Sequence, residues 1–128
     1  MINIRPRELV ILADDFAKLY AWYRDVLGFK VTKLFDDDYH YCNMETDSGI
    51  KIGIASAKEM DMVPGKRANN TVVLQIEVDD LKELYTHMKE HGVTELNGPF
   101  FDKKNGFWFG GFSDVEGNPC WVVDKNCP

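Results

Sequence analysis

The sequence is poor in several features that mark particular classes of protein. Its 128 residues include only three cysteines, an odd number without the CxxC spacing of zinc sites and redox motifs. Reduced thiols, and a first stretch of chain without the apolar core of a signal peptide, predict a cytoplasmic protein. No apolar run approaches the ~20 residues that span a bilayer, so we expect no membrane partner.

An excess of positive charge is also absent. Lysine and arginine number 15 against 21 acidic residues, which gives a net charge of −6. An acidic chain without a basic stripe is poorly suited to nucleic acid, so we expect no nucleic-acid partner. The 45% hydrophobic and 28% charged residues are typical of a globular protein. The length fits a single domain over residues 1–128.

What the chain does contain is an internal repeat. Each copy begins with a short apolar run that a pair of aspartates ends, at Asp15 and again 65 residues later at Asp80. Apolar residues then recur at three- and four-residue spacing, which predicts amphipathic helices that begin near these aspartates. Both helical patterns stop at a glycine, Gly28 and Gly92, as helices commonly do.

Strand patterns follow each helical pattern, so that each half of the chain is predicted to run β-α-β-β-β. The two modules cover about residues 1–60 and 70–126, and a connector with Pro64-Gly65 lies between them. Neither module is expected to bury its sheet alone, so we predict one pseudo-symmetric α+β domain. The predicted strands after the helices are 29–35, 39–45, 50–55, 107–113 and 120–123.

Three segments carry a family resemblance: the helix end YAWYRDVLGF at 20–29, VDDL at 78–81 and the turn FSDVEGN at 112–118. They resemble the vicinal oxygen chelate superfamily, which includes glyoxalase I, bleomycin-resistance proteins and extradiol dioxygenases. Members commonly have Asp-Pro-Asp-Gly-Asn where this chain has Asp-Val-Glu-Gly-Asn. The resemblance implies two βαβββ modules that form one cup-shaped sheet with the helices on its outer face. It also implies small molecules bound inside the cup, and a homodimer.

Enzymes of this family usually hold a divalent metal at four positions, which the resemblance places at Glu8, Gly53, Val73 and Trp121. Only Glu8 offers a lone pair, since glycine and valine have no donor atom and the indole has only an N–H. A single carboxylate does not make a catalytic metal site, which normally takes about three protein ligands. We therefore expect no metal and no cofactor.

Strand alternation extends this cup-facing set. Its members are mostly apolar, with some aromatic surface and a few polar groups, a composition typical of small-molecule pockets. Trp121 is interpreted either as a stacking surface for a planar ligand or as a core residue that plugs the former metal position. Glu8 is the best catalytic candidate, as a general base; it is alternatively a polar anchor or a surface carboxylate. The predicted ligand-binding residues are Glu8, Val10, Gly53, Val73, Gln75, Trp108 and Trp121.

Other polar residues are predicted to be structural. His87 and His91 stand four apart at a helix surface without the glutamate of an HExxH motif, and His40 is a lone histidine in a strand. Lys66-Arg67 is predicted to be a solvated part of the connector. Cys42 and Cys120 lie in strand patterns and are predicted to be buried.

These observations leave three hypotheses for function. The first is metal-independent binding of a small amphipathic or aromatic molecule, as in the bleomycin-resistance branch. The second is a glyoxalase-like lyase or isomerase, or a dioxygenase, with a displaced metal site or acid–base chemistry at Glu8. The third is a structural or regulatory dimer whose cup is filled by its own side chains.

Overall fold

The computed structural model describes residues 2–128, which form two compact units, residues 2–64 and 65–128. Each unit has the predicted β-α-β-β-β order, which confirms the repeat. That the two units form one domain stays a prediction. The first unit contains β1 (Leu9–Ala13), α1 (Phe16–Asp25), β2 (Lys30–Asp36), β3 (His40–Glu45) and β4 (Lys51–Ser56). The second begins with a 3-10 turn (Arg67–Asn69), followed by β5 (Leu74–Val78), α2 (Leu81–Glu90), β6 (Leu96–Asp102), β7 (Phe107–Ser113) and β8 (Pro119–Asp124).

The strands of each unit form their own mixed sheet of four. The order is β1-β4-β3-β2 in the first unit and β5-β8-β7-β6 in the second. The first strand of each sheet is parallel to the last, and the other pairs are antiparallel. Hydrogen bonding therefore makes two sheets, where the resemblance implied one cup-shaped sheet. The α+β class and the repeated module stand as predicted.

Helix boundaries follow the predicted signals. The Asp15 carboxylate accepts a hydrogen bond from the backbone N–H of Lys18, and Asp80 accepts from the second and third residues of α2. Each aspartate satisfies a backbone donor that the first helical turn leaves free. Beyond the helices, Gly28 and Gly92 have φ angles of +75° and +78°, a conformation that favours glycine.

One face of each helix packs on one face of its sheet. In the first unit, α1 buries Leu19 and Tyr23 against β3 and β4. In the second, α2 buries Leu81, Tyr85 and Met88 and contacts β6, β7 and β8. In each unit, alternate strand residues pack against the buried face of the helix. The predicted burial of the cysteines at positions 42 and 120 is confirmed. The buried strand residues include Cys42, Met44, Ile52, Ile54, Ile76, Phe112, Cys120 and Val122.

Strand β6 is the one element that sequence patterning did not locate. Its register against β7 shifts between Asn97 and Phe100, where Gly98 and Pro99 interrupt the strand. Proline donates no backbone hydrogen bond, and a bulge at this place breaks the alternation that a sequence pattern relies on. Within the seven residues of β6 the side chains switch from one face of the sheet to the other, so the strand has no regular alternation that a sequence pattern could detect.

The connector prediction was wrong for Arg67. Its guanidinium lies 3.1 Å from a Glu116 carboxylate oxygen and 3.2 Å from Oδ1 of Asn118. The arginine and glutamate side chains are only 12% and 9% exposed. Arg67 therefore holds the turn before β8 in place through these two contacts. The Glu116 carboxylate compensates the charge of the buried guanidinium.

Within the described residues, neither helix has the length and apolar composition needed to cross a bilayer.

Candidate functional site

The face of each sheet opposite its helix, called the far face below, carries most of the side chains predicted to bind ligand. In β8, Cys120 and Val122 are buried on the helix side, so the intervening Trp121 points to the far face. In β4, Ile52 and Ile54 are buried on the helix side, which places Gly53 on the other one. The prediction that alternate residues face a common surface therefore holds within each sheet.

The far face of the second sheet carries an aromatic pocket. Trp121 is 56% exposed, and Phe100 and Phe109 are 45% and 39% exposed. The two phenylalanine rings lie 5.5 Å apart between centroids, in a tilted arrangement. These rings border a cavity of about 610 Å³. Its other walls include Gln75, Leu96, Asn97, Gly111, Ser113 and Val123.

Glycines shape the floor of this pocket. Gly111 pairs with Trp121 across β7 and β8, and a side chain there would lie 3.7 Å from the indole Cδ1. Its absence leaves the side of the indole open to a ligand. On the helix side, a side chain at Gly110 would overlap the hydroxyl of Tyr85. The glycine therefore lets α2 approach the strand closely.

Tyr85 fixes the strands beneath the pocket. Its hydroxyl donates to the backbone carbonyl of Asn97 at 2.6 Å and lies 3.2 Å from that of Gly111. Burial raises the pKa of the Tyr85 phenol, which keeps the donating proton in place. The residue thus ties α2 to β6 and β7 at the point where β6 is irregular.

The far face of the first sheet carries a polar cluster around Glu8. The Tyr41 hydroxyl donates to Oε1 of Glu8, and the Asn43 amide lies 3.2 Å and 3.1 Å from the two carboxylate oxygens. Burial, followed by the bond to Glu8, raises the pKa of Tyr41 to about 12. The phenol therefore stays protonated near neutral pH and acts as a fixed donor. Both carboxylate oxygens of Glu8 therefore accept hydrogen bonds from the protein itself.

Gly53 lies against the same cluster. A side chain there would overlap the Tyr41 hydroxyl, and its Cβ would come within 2.9 Å of Oε1 of Glu8. Tyr41 therefore occupies the space that a metal ligand at this position would need. Val73 and Trp121 have no lone pair to offer either, so the residues at the four implied positions do not fit a divalent metal. Among residues 2–128, no group of three or more His, Cys, Asp or Glu side chains is arranged to hold one.

The seven predicted ligand-binding residues are distributed over both units. Glu8, Val10 and Gly53 share the far face of the first sheet, where Val10 pairs with Gly53 and is 46% exposed. In the second unit, Gln75 pairs with Trp121, and both line the aromatic pocket. Val73 precedes β5, is half-buried and lies outside the walls of that pocket.

Trp108 lies on the opposite face from Trp121, which corrects its predicted place in the lining. The ammonium of Lys82 in α2 is 4.7 Å from the centroid of its ring, and Phe101 packs at 5.1 Å. Trp108 follows Phe107 in β7, and a step of one residue reverses the face of a strand. Phe109, two residues after Phe107, takes the far-face position instead.

Four further residues of these far faces were missed. Tyr41 and Asn43 alternate with the buried Cys42, so the pattern Tyr-Cys-Asn-Met already carried the signal that both face away from α1. Phe109 could have been predicted from its spacing to the turn that follows β7. Phe100 was not, because the register shift in β6 removes the alternation that would have placed it.

The histidines are held by local contacts, in agreement with the structural interpretation. His40 Nδ1 lies 2.6 Å from a Glu59 oxygen and Nε2 lies 3.1 Å from Asp36. The hydrogen bond to Glu59 raises the pKa of His40. The rings of His87 and His91 are tilted against each other with centroids 4.2 Å apart, and His91 Nδ1 lies 2.8 Å from the backbone carbonyl of His87.

Comparison with solved structures shows the same fold over nearly the whole chain. TnmS3, an antibiotic binding protein from Streptomyces sp. CB03234, is 17% identical with a TM-score of 0.75, over 97% of this chain and 98% of that one. A superfamily member from Sphaerobacter thermophilus DSM 20745 is 20% identical with a TM-score of 0.75, over 98% and 100%. Lactoylglutathione lyase from Agrobacterium tumefaciens is 17% identical with a TM-score of 0.70, over 95% and 94%.

No curated protein matches the sequence. The model of one protein family does match it, across residues 5–122, and this range includes the first module and the second up to the middle of β8. The match agrees with the motifs at the end of α1 and in the turn before β8. The chain belongs to the Glyoxalase/Bleomycin resistance protein/Dioxygenase superfamily.

Proposed function

We propose that the protein binds a small amphipathic or aromatic molecule in the aromatic pocket of the second unit, without a metal. The observation that carries the proposal is the exposed indole of Trp121 beside Phe100 and Phe109. The cavity of about 610 Å³ lies within the range of ~300–1,000 Å³ typical of ligand sites. An aromatic ligand would cover this apolar surface and gain stacking contacts.

The polar residues of the pocket indicate which polar groups an aromatic ligand would carry. Gln75 and Asn97 are the amide side chains in its walls, and Ser113 adds a hydroxyl. Amides and hydroxyls both donate and accept hydrogen bonds, so they suit neutral polar substituents on an aromatic scaffold. One structure of similar fold is an antibiotic binding protein, so antibiotics with aromatic rings are the first compounds to screen.

The test compares two tryptophans on opposite faces of the same sheet. An aromatic ligand that stacks on Trp121 should change the indole fluorescence, and Trp121→Ala should weaken its binding by about 1–3 kcal/mol. Trp108→Ala is the matched control, because that ring packs against Lys82 on the helix side. The proposal fails if every compound that binds the natural protein binds the Trp121→Ala variant equally well.

The alternative is a lyase or isomerase that uses Glu8 as an acid or base, and one structure of similar fold is a lactoylglutathione lyase. Glu8 is the observation in its favour, since it is the carboxylate at an implied ligand position. Its oxygens already accept hydrogen bonds from Tyr41 and Asn43, which favours a structural role over acid–base chemistry. Lactoylglutathione lyase activity that disappears in Glu8→Gln would make the enzyme hypothesis the preferred one.

We also propose a homodimer located in the cytoplasm. The strands leave large apolar side chains such as Val31, Leu34 and Phe101 exposed, and a second copy would cover such surface. The three cysteines are free, which suits a reducing compartment. Sedimentation that detects only a monomer at micromolar concentration would contradict the dimer, and cell fractionation tests the location.

A further inference from the structure

A second, smaller cavity lies on the far face of the first sheet. Its volume is about 210 Å³ and its walls are polar. Three cationic side chains line it, against two acidic ones, so the local balance is positive in a chain of net charge −6. The residues around it are Pro6, Arg7, Glu8, Thr32, Lys33, Asn43, Met44, Glu45 and Lys51.

The two acidic residues of this cavity already have neighbours in the protein. Glu8 accepts hydrogen bonds from Tyr41 and Asn43, so its oxygens are occupied by donors of the protein itself. Glu45 pairs across the sheet with Lys51 on one side and with Lys30 on the other. Cross-strand pairs of opposite charge stabilise each other.

Lys33 pairs across the sheet with Asn43 and not with an acidic residue, whereas Lys51 lies opposite Glu45. Among residues 2–128, no ion pair joins Arg7, Lys33 or Lys51 to a carboxylate, whereas Lys30 forms one with Asp47 at 2.6 Å. Lys33 contacts the face of Phe35, with its ammonium 5.3 Å from the ring centroid. Arg7 lies near enough to Tyr41 to favour the charged form of that phenol. Their N–H donors are therefore available at one cavity.

We propose that this cavity binds the anionic oxygen group, a carboxylate or a phosphate, of a small molecule. A guanidinium presents a planar fork that matches such a group, and two ammonium groups add point charges beside it. The volume is below that of pockets for drug-sized ligands, so the site takes the anionic group with few further atoms.

The test titrates the protein separately with inorganic phosphate and with succinate, at constant ionic strength maintained by sodium chloride. Amide chemical shifts of Arg7, Lys33 and Lys51 report on the site. Saturable shifts with either probe support the proposal, and the probe that binds more tightly identifies the preferred anion. The absence of saturable shifts with both probes would overturn it.

Charge variants distinguish this cavity from general attraction of anions. Lys33→Gln combined with Lys51→Gln should weaken binding roughly tenfold, as expected when hydrogen bonds to a charged group are lost. Lys103→Gln combined with Lys104→Gln is the matched control, since it removes the same charge from the β6–β7 turn in the other unit. An equal loss in both double variants would overturn the proposal. If the first double variant does not fold, Arg7→Gln provides the same comparison at another exposed side chain.

Discussion

The two modules share one topology but differ on their far faces. Gly53 and Trp121 occupy equivalent places, because Val10 pairs with the first and Gln75, 65 residues after Val10, pairs with the second. One position has no side chain and is covered by Tyr41, while the other has the largest side chain and is more than half exposed. The same strand pairing thus supports a hydrogen-bonded polar cluster in one module and an aromatic pocket in the other.

This difference shows which residues determine the fold and which are free to determine binding. On the helix side, both modules bury apolar residues at alternate strand positions, such as Ile52 and Ile54 in β4 and Cys120 and Val122 in β8. These side chains give the sheets their stability by removing apolar surface from water. The far faces make no comparable contribution to the core of their own unit, so they tolerate opposite chemistry.

The largest effect is expected when the tryptophan of the second module is placed at the equivalent position of the first module. Gly53→Trp should destabilise the protein by about 3 kcal/mol, because the new side chain overlaps Tyr41 and separates it from Glu8. Gly65→Trp is the control, since nothing lies within 4 Å of a side chain at that position. Chemical denaturation measures both. Equal stability of the two variants would show that Tyr41 moves aside freely.

The second challenge concerns the turns before the last strands, which contain Gly49 and Gly117. Arg67 holds Glu116 and Asn118 in the second module. In the first module Thr46 Oγ1 accepts from the N–H of Ile50, and the ion pair of Asp47 with Lys30 is exposed. Arg67→Met should cost about 2 kcal/mol, because it leaves the Glu116 carboxylate without its cationic partner. Lys30→Met, which removes the exposed ion pair with Asp47, is the control and should cost less than about 1 kcal/mol.

Thermal and urea unfolding of these two variants would measure the difference. A loss of stability as large for Lys30→Met as for Arg67→Met would contradict the idea that burial distinguishes the two turns.

Sequence patterning predicted the elements wherever alternation and capping signals were undisturbed. Asp15 and Asp80 located both helix starts, and apolar periodicity located every strand except β6. Strand β6 contains Gly98-Pro99, and a bulge has no sequence period that would reveal it. For the same reason Phe100 was absent from the predicted pocket.

The predicted site shows where such reasoning stops. Alternation placed Gln75 and Trp121 on one surface correctly, because both lie in regular strands paired in register. It did not indicate that the Tyr41 hydroxyl would cover Gly53, since that contact depends on the length of a side chain from another strand. Nor did it reveal the burial of Arg67, whose partners lie 49 and 51 residues away in the chain.

A smaller effect is expected at the Glu8 cluster. Tyr41→Phe should cost about 1 kcal/mol, because the Glu8 carboxylate loses a donor but keeps Asn43. Tyr39→Phe, at an exposed tyrosine stacked on Phe35, is the matched control and should be nearly neutral. Denaturant midpoints of the two variants give the difference. Equal midpoints would show that the hydroxyl bond adds nothing to stability.

The same bond makes a pH prediction with a definite sign. The pKa of Tyr41 is raised to about 12, so the folded state favours the protonated phenol. Its contribution to stability is complete below the ordinary tyrosine pKa of ~10 and is lost as the pH rises toward 12. Burial also raises the pKa of Tyr85, so absorbance titration at alkaline pH should show one late-ionising tyrosine fewer in Tyr41→Phe than in the natural protein. An unchanged late ionisation in that variant would contradict the assignment to Tyr41.

The smallest expected effects are opposite pH dependences of the two β-hairpins. His40 links the β2–β3 hairpin to Glu59, and that hydrogen bond raises the histidine pKa, so its contribution is lost as the pH rises through the folded value. Asp102 closes the β6–β7 turn through hydrogen bonds chiefly from Asn105, which lower the aspartate pKa, so its contribution is lost as the pH falls. Amide protection factors, which correct for the intrinsic pH dependence of exchange, should therefore fall in the first hairpin as the pH rises through the His40 pKa and in the second as it falls through the Asp102 pKa. Glu59→Gln should bring the His40 pKa, followed by NMR, back toward its ordinary value, and an unchanged pKa would show that the carboxylate does not stabilise the charged imidazole.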